Sequence, residues 1–143
     1  MRVTTAFKRL LRLEGVNVTS VVFGINVITV TVELRRRRLV CPHCGYKTSA
    51  RYDTRPGPST WRHLDLGAWA VKVQATLRRL SCPTHGVVVE AVPFARPGAH
   101  LTRDLDDLVA WLAPGGPHRR RASPTPGAAS GSPTAAARPE QRE

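Results

Sequence analysis

Two short cysteine-containing segments carry the residues with the clearest chemistry. Both segments repeat one pattern of ligand, two residues, ligand and glycine. The first knuckle is Cys41-Pro-His-Cys44-Gly45, and the second knuckle is Cys82-Pro-Thr-His85-Gly86. Four thiolates or imidazoles in a tetrahedron hold structural zinc, and two ligands three residues apart on a tight turn supply neighbouring corners. The pattern therefore predicts one structural zinc ion with every coordination position filled by protein, and its ligands are Cys41, Cys44, Cys82 and His85.

Two alternatives to this zinc site stay open in the sequence. A single Cys-x-x-Cys pair can be a redox dithiol, although the second copy with its histidine and the lack of a surrounding βαβ pattern argue against that chemistry. His43, inside the first knuckle, could replace His85 as the fourth ligand, but its place between two close neighbours is sterically poorer. We expect His43 to be a surface residue that can contact a phosphate.

Two short amphipathic helices are predicted around the knuckles. The first is capped by Thr4 or Thr5 and ends at Gly15, and its apolar face consists of Phe7, Leu10 and Leu11. The second is capped by Thr102, and its leucines recur at helical spacing, at Leu101, Leu105, Leu108 and Leu112. The aspartates at its start complement the helix dipole and diverge too much for a two-metal site; they are Asp104, Asp106 and Asp107.

Strands are predicted where β-branched residues and period-two alternation coincide, at Val16–Phe23, Ile25–Leu34, Ala70–Leu80 and Val87–Val92. Gly24 is expected to turn the first two strands into a hairpin, and the turn-rich stretch Asp53–Thr60 is expected to loop out between the knuckles. The predicted fold class is α+β. It is a small antiparallel-sheet zinc-ribbon-like domain with short flanking helices and a disordered C-terminal tail.

Composition places a boundary near residue 113. The chain has 143 residues and 22 Lys+Arg against 10 Asp+Glu, a formal charge of +12. Residues 114–143 contain six Pro and lack Val, Ile, Leu, Met, Phe, Trp, Tyr and Cys, so they cannot bury a core and are expected to be disordered. We therefore expect a zinc-binding, DNA-binding domain over residues 1–113 and a Pro/Ala/Arg-rich tail over residues 114–143.

Basic residues cluster around both knuckles. Arg35, Arg36, Arg37 and Arg38 lead into the first knuckle, and Arg78 and Arg79 lead into the second. Arginine engages phosphate or guanine with two parallel hydrogen bonds. The predicted DNA-binding set consists of these six arginines together with Lys47, Arg51 and Arg62, and Arg55 lies in the same region. The three tryptophans could stack on bases, but packing is the expected role of Trp61, Trp69 and Trp111.

Several classes of protein are excluded or disfavoured. The apolar runs are far shorter than the roughly 20 residues of a membrane span, and the N-terminus lacks a clean secretory pattern, so we expect a cytoplasmic, nucleoid-associated protein without membrane or small-molecule partners. Three cysteines do not make a disulfide framework. No residues are placed as a nucleophile and base or as a carboxylate metal triad, and we expect no catalysis.

The order of motifs resembles one family. CPHCG, WRHLDLG, LRRLSCPTHG, VEAVPFARPG and HLTRD, across about residues 10–112, are similar to the N-terminal zinc-binding region of ISL-three family insertion-sequence transposases. The resemblance implies the same four zinc ligands, with Arg78 and Arg79 in a basic strand. In that family the zinc module and a helix-turn-helix region bind terminal inverted repeats, and a later carboxylate domain cuts DNA with divalent metal.

The sequence departs from this family after Ala113, where an Arg-, Pro- and Ala-rich tail replaces the expected helices. We therefore expect a truncated or frameshifted, non-catalytic fragment that binds double-stranded DNA at terminal inverted repeats. One alternative is a module that pairs with full-length transposase and inhibits it. A zinc-ribbon RNA-binding protein is the other.

Overall fold

The computed structural model describes residues 2–115, which form two helices and nine strands. The helices are α1 (Val3–Leu11) and α2 (Arg103–Leu112). The strands are β1 (Val16–Phe23), β2 (Val27–Leu34), β3 (Leu39–Val40), β4 (Lys47–Thr48), β5 (Asp53–Thr54), β6 (Ser59–Leu66), β7 (Trp69–Ala75), β8 (Arg78–Cys82) and β9 (Gly86–Val89). They confirm the predicted α+β fold class.

The largest sheet has four strands in the order β1-β2-β7-β6. Its outer pairs are antiparallel, whereas β2 and β7 run parallel with Val30 opposite Val73. The parallel pair departs from the antiparallel arrangement expected throughout, because β3, β4 and β5 intervene between β2 and the β6–β7 hairpin. Val30, Val71 and Val73 are fully buried, and the period-two pattern of these strands therefore builds the main core.

Helix α1 packs on this sheet through two residues. Phe7 and Leu11 are buried, but Leu10, which was predicted to share their face, is 63% exposed. The expected threonine cap is wrong, since Arg2 occupies the N-cap position without a side-chain hydrogen bond and both threonines lie inside the helix. The helix ends at Leu11 and not at Gly15, because Arg12 already adopts a left-handed conformation with φ of 48°.

The hairpin between β1 and β2 differs from prediction by two residues. Strand β2 begins at Val27, and Asn26 is the turn residue with a positive φ of 55°. The N–H of Gly24 donates to the carbonyl of Val27 at 2.7 Å. Asn tolerates the left-handed region well, so the conformational role expected of Gly24 belongs to Asn26.

The long strand predicted at Ala70–Leu80 is two strands in two different sheets. Strand β7 ends at Ala75, and β8 belongs to a three-stranded sheet of order β5-β8-β9. The period-two alternation predicted for this stretch nevertheless continues through the break, since alternate residues are buried: Val71, Val73, Ala75 and Leu77. The alternation of apolar and polar residues predicts which side chains are buried. It does not predict where one sheet ends and the next begins, because that depends on the strands with which each segment pairs.

The stretch expected to loop out, Asp53–Thr60, is partly structured. It contains β5 and the first residues of β6, and the whole of β6 was missed by the sequence prediction. The polar residues Arg62, His63 and Asp65 hid it, because they interrupt the apolar alternation that indicates a strand, although His63 is buried. Leu77 accepts a backbone hydrogen bond from Arg55 at 2.9 Å, which holds this segment beside the start of β8.

Helix α2 starts where predicted, with Thr102 at the N-cap. The Thr102 hydroxyl does not cap the helix, however, because it is hydrogen-bonded at 2.7 Å to Nδ1 of buried His63. None of the α2 side chains is buried, and Leu108 and Leu112 are 40% and 64% exposed. The predicted disordered tail lies outside the described residues apart from Pro114 and Gly115. No helix among residues 2–115 has the length and apolarity to span a membrane.

Candidate metal centre

The first knuckle is a tight turn between β3 and β4. The N–H of Cys41 donates to the Tyr46 carbonyl at 2.8 Å, and the N–H of Gly45 donates to the Cys41 carbonyl at 3.1 Å. Gly45 has a φ of 75°, a backbone conformation that glycine adopts without steric cost. This turn places Cys41 and Cys44 on the same side of the short hairpin.

The second knuckle joins β8 to β9 in the same manner. Strand β8 ends at Cys82, whose pairing partner is Gly86 at the start of β9. Gly86 has a φ of 71° and closes the turn. The side chains of Cys82 and His85 are thereby held at one end of the three-stranded sheet.

A small core joins the two knuckles. Leu39, Cys41, Leu80 and Cys82 are buried together, and Val88 packs against them. The Ala91 N–H donates to the Val40 carbonyl at 2.8 Å and ties the chain after β9 to β3. The knuckles thus lie in two separate small sheets, which this core and this hydrogen bond hold together.

The four predicted ligands converge. Their ligand atoms all lie within 4.8 Å of one another. The Cys44 and Cys82 sulfurs are 3.5 Å apart, and Nδ1 of His85 lies 3.6 Å from the Cys82 sulfur and 3.7 Å from the Cys41 sulfur. No disulfide involves them, since all three cysteines are free.

These distances are those of a tetrahedron around zinc. With Zn–S bonds of about 2.3 Å and Zn–N bonds of about 2.1 Å, the tetrahedral edges are about 3.8 Å between two sulfurs and about 3.6 Å between sulfur and nitrogen. The observed separations agree with both values. The three thiols and one imidazole therefore fit one structural zinc ion, and a closed set of four protein ligands leaves no position for a reacting water.

Local hydrogen bonds set the protonation of two ligands. The pKa of Cys82 is lowered to about 6. Burial raises this pKa, but the hydrogen bonds from the His85 and Thr84 N–H groups and from the His85 ring together lower it by more. The pKa of Cys44 is raised. The hydrogen bond from the Tyr46 N–H lowers this pKa, but partial burial and the neighbouring Cys82 and Cys41 thiols together raise it by more. Metal binds the thiolate form, so Cys82 is the thiol readiest to bind.

The structure distinguishes between the two candidate histidines. His85 belongs to the cluster of metal-ligand atoms, whereas His43 does not. The His43 ring is exposed and lies against the His85 ring with 5.0 Å between centroids. The fourth corner of the tetrahedron therefore comes from the second knuckle, as the repeated spacing predicted.

Residues 37–85 match a protein family described as the zinc-finger of transposase IS204/IS1001/IS1096/IS1165. This segment is similar to those transposase zinc fingers, and we call residues 37–85 the zinc finger. The match confirms the resemblance seen in the sequence, over a shorter stretch that still includes all four ligands. It identifies a zinc-binding, non-catalytic region of transposases. No curated protein and no solved structure matches the chain.

Two of the arginines expected to contact DNA make ion pairs beside the zinc finger's second knuckle. Arg78 donates from Nε and Nη2 to the two carboxylate oxygens of Glu90, at 2.9 and 2.8 Å, and Glu90 is only 5% exposed. Arg79 forms a two-pronged pair with Asp53 and lowers the pKa of that carboxyl. These pairs brace strand β8 against the segments on either side of it.

Other predicted contacts of the zinc finger are also engaged within the protein. Arg62 pairs with Asp65 at 2.6 Å. Arg35 donates from Nε to the Val16 carbonyl at 3.1 Å and to the Asn17 side chain at 2.9 Å. Arg51 donates weakly to the Thr54 hydroxyl at 3.4 Å.

The remaining basic residues point into solvent. The side chains of Arg36, Arg37, Arg38 and Lys47 are exposed, and none forms an ion pair with any residue between 2 and 115. The three arginines precede β3, and Lys47 begins β4, its antiparallel partner. The first hairpin and the segment that leads into it therefore carry four cations that are available to an external anion.

The tryptophans of the chain occupy three environments. Trp61 packs edge-on against Phe94 with ring centroids 4.9 Å apart and is buried, which confirms the predicted packing role. Trp69 is 38% exposed and contacts the Phe23 ring at the hairpin end, and Trp111 on α2 is 52% exposed. The packing role is thus complete only for Trp61.

Sequence reasoning missed the residues that brace the zinc finger. Glu90 was included in a predicted strand without a function, yet it is the buried partner of Arg78. Asp53 was assigned to a loop, yet it pairs with Arg79 across β5 and β8. A lone carboxylate within an apolar strand was the only available signal for Glu90, since buried carboxylates require a partner.

Proposed function

We propose that the zinc finger binds double-stranded DNA through phosphate contacts from its first hairpin. The observation that carries the proposal is the group of unpaired cations, Arg36, Arg37, Arg38 and Lys47, beside a closed zinc site in a transposase-type finger. Phosphate contacts supply most of the sequence-independent affinity for DNA. Zinc acts structurally here, because it holds the turn that positions these side chains.

The predicted DNA contacts divide into two groups under this proposal. Arg78 already satisfies the buried Glu90, so removing it would leave that carboxylate unpaired. Arg35, Arg51, Arg62 and Arg79 have exposed or half-exposed side chains, and a phosphate can join or replace their present partners. We assign Arg36, Arg37, Arg38 and Lys47 as primary contacts and Arg78 as a bracing residue.

The finer part of the proposal concerns the target. We infer that residues 1–113 act as the DNA-binding domain, that its targets are terminal inverted repeats, and that this domain does not itself cleave DNA. Support comes from the family of the finger and from its saturated metal site, which has no open position. Preference for repeat ends over scrambled duplexes of equal composition tests the target.

A salt titration of duplex binding tests the mechanism. The logarithm of affinity should fall with the logarithm of salt concentration by about 0.9 per neutralised phosphate. The variant R37Q/R38Q should reduce this slope by about 1.8 if each arginine contacts one phosphate. The matched control K72Q/R103Q removes the same charge from exposed side chains that form no ion pair within residues 2–115, and it should keep the wild-type slope.

Three results would contradict the proposal. The first is an equal loss of slope in the arginine variant and its control, which would mean that only the overall charge of the protein matters. The second is tighter binding to structured RNA than to duplex DNA, which would favour the RNA-binding alternative. Binding that survives complete removal of zinc would also show that the metal does not position the contacts.

A second candidate partner is full-length transposase. The α2 helix leaves Leu108, Val109 and Leu112 exposed by 40%, 49% and 64%, and such apolar faces are typical of protein contacts. Co-purification of the two proteins without DNA, abolished by L108S/L112S and kept by D107S, would support this interaction. Retention of the complex by L108S/L112S would exclude α2 as its contact surface.

A further inference from the structure

Helix α1 carries a second basic surface, outside the matched zinc finger. A cavity of about 770 Å³ is lined by Thr5, Lys8, Arg9, Arg12, Leu13 and Arg35. Four of these six residues are cations, and none is a carboxylate. We call Lys8, Arg9, Arg12 and Arg35 the α1 basic surface.

The spacing along α1 places its cations on one face. Lys8 and Arg9 lie three and four positions after Thr5, which is the repeat of one helical face, and Arg12, the left-handed residue that follows the helix, lines the same cavity. Phe7 and Leu11, on the opposite side, are buried against the sheet. The helix therefore presents its cationic stripe to solvent because its apolar stripe is committed to the core.

Two of these cations converge on one neutral oxygen. Nζ of Lys8 and Nε of Arg35 donate to the same Asn17 side-chain oxygen, at 3.4 and 2.9 Å. Like charges held this close repel each other. None of the four cations is ion-paired within residues 2–115, so an external anion would relieve that repulsion.

A purely structural role does not account for the whole arrangement. Lys8 and Arg9 lie in the last turn of α1, where cations favour the negative end of the helix dipole. Arg35, however, comes from the chain after β2, so the helix dipole does not explain its position, and its side chain stays exposed although its Nε donates to the Val16 carbonyl and to Asn17. It also begins the run Arg35–Arg38 that leads directly to the first knuckle.

We infer that the α1 basic surface binds the phosphodiester backbone of the same DNA duplex as the zinc finger. The inference rests on the proposed function and extends it to residues outside the matched segment. Arg35 links the two surfaces, since it is part of the α1 basic surface and directly precedes Arg36 in the chain. Duplex DNA fits better than a lipid surface because α1 has only nine residues and buries Phe7 and Leu11 in the fold, which leaves only Val3 and Leu10 as exposed large apolar side chains on this helix.

The test compares two charge-matched variants of the full chain, saturated with zinc, on a labelled duplex of random sequence. K8Q/R12Q removes one lysine and one arginine from the α1 basic surface, and K72Q/R103Q removes the same charge from other exposed sites. Two lost phosphate contacts should lower the salt slope by about 1.8 and the affinity by about 60-fold at 0.1 M salt. The control should keep the wild-type slope.

Each outcome decides between the proposals. If wild-type protein fails to bind the duplex, both the proposed function and the α1 inference are overturned. If it binds and K8Q/R12Q keeps the wild-type slope, only the α1 inference is overturned. The same result accompanied by loss of binding to phosphatidylserine vesicles would assign the surface to lipid instead. A reduced slope in K8Q/R12Q alone, with unchanged thermal unfolding, supports the inference.

Discussion

Removal of zinc should unfold the first hairpin of the finger and leave the four-stranded sheet folded. The two regions have separate cores of very different size. Thirteen residues form the main buried cluster, whereas the cluster at the metal site contains only Leu39, Leu80 and the ligands Cys41 and Cys82. The metal is therefore the principal source of stability for the hairpin that carries the proposed DNA contacts.

The expected magnitude follows from these residues. Burying Leu39 and Leu80 contributes about 3 to 6 kcal/mol. Ordering the backbone of residues 39–48 costs at least about 10 kcal/mol at roughly 1 kcal/mol per residue. Without zinc the hairpin is thus unfavourable by about 4 to 7 kcal/mol, and a structural zinc ion contributes about 10 to 16 kcal/mol, which reverses the balance.

Amide hydrogen exchange measures this directly. After chelation, the Cys41 and Gly45 amides, which donate within the first knuckle, should exchange freely, while those of β2 and β7 remain protected. Continued protection of the Cys41 amide in metal-free protein would refute the reasoning. Loss of protection in both regions together would show instead that the finger and the sheet unfold as one unit.

Three further predictions concern single residues. H85Q should lose zinc whereas H43Q should retain it, because His85 belongs to the ligand cluster and His43 does not. Metal content after dialysis measures this, and equal loss from both variants would contradict the choice of His85 as ligand. Burial lowers the pKa of His63, although nearby Asp104 partly opposes this. The unfolded state then binds the proton more readily, so stability should fall as pH decreases from about 6.5 toward the lowered folded-state pKa. Urea midpoints of zinc-saturated protein should drop less for H63Q than for wild type over this range, and identical drops would contradict the assignment. E90A should destabilise the fold by about 3 kcal/mol in urea unfolding, since it leaves the mostly buried Arg78 guanidinium unpaired; a change below about 1 kcal/mol would mean that solvent replaces the carboxylate.

The zinc site was largely predictable because its information is local. Two ligands three residues apart on a glycine-terminated turn define half a tetrahedron without reference to the rest of the chain. The inward positions of Val71, Val73, Ala75 and Leu77 were predictable for a similar reason, since alternation along a strand needs no knowledge of its partner. The choice of His85 over His43 also followed from the repeated spacing.

The role of the arginines was not predictable, because it depends on residues distant in sequence. Arg78 meets Glu90 and Arg79 meets Asp53 only after β5, β8 and β9 pair. A run of basic residues in a sequence therefore does not distinguish a cation that braces the fold from one that is available to DNA. Strand β6 and the parallel pairing of β2 with β7 were hidden for the same reason.

Sequence by itself determined the metal chemistry, the α+β class and the transposase resemblance, since short spacings and periodic burial express all three. Tertiary structure alone decided which cations remain free. It pairs Arg78 and Arg79 with carboxylates, leaves Arg36, Arg37 and Arg38 in solvent, and brings Arg35 beside Lys8 through Asn17. The physical reason is that neighbouring groups decide whether a cation forms an ion pair within the protein or stays exposed to solvent. Those neighbours come together only when distant strands and α1 have packed.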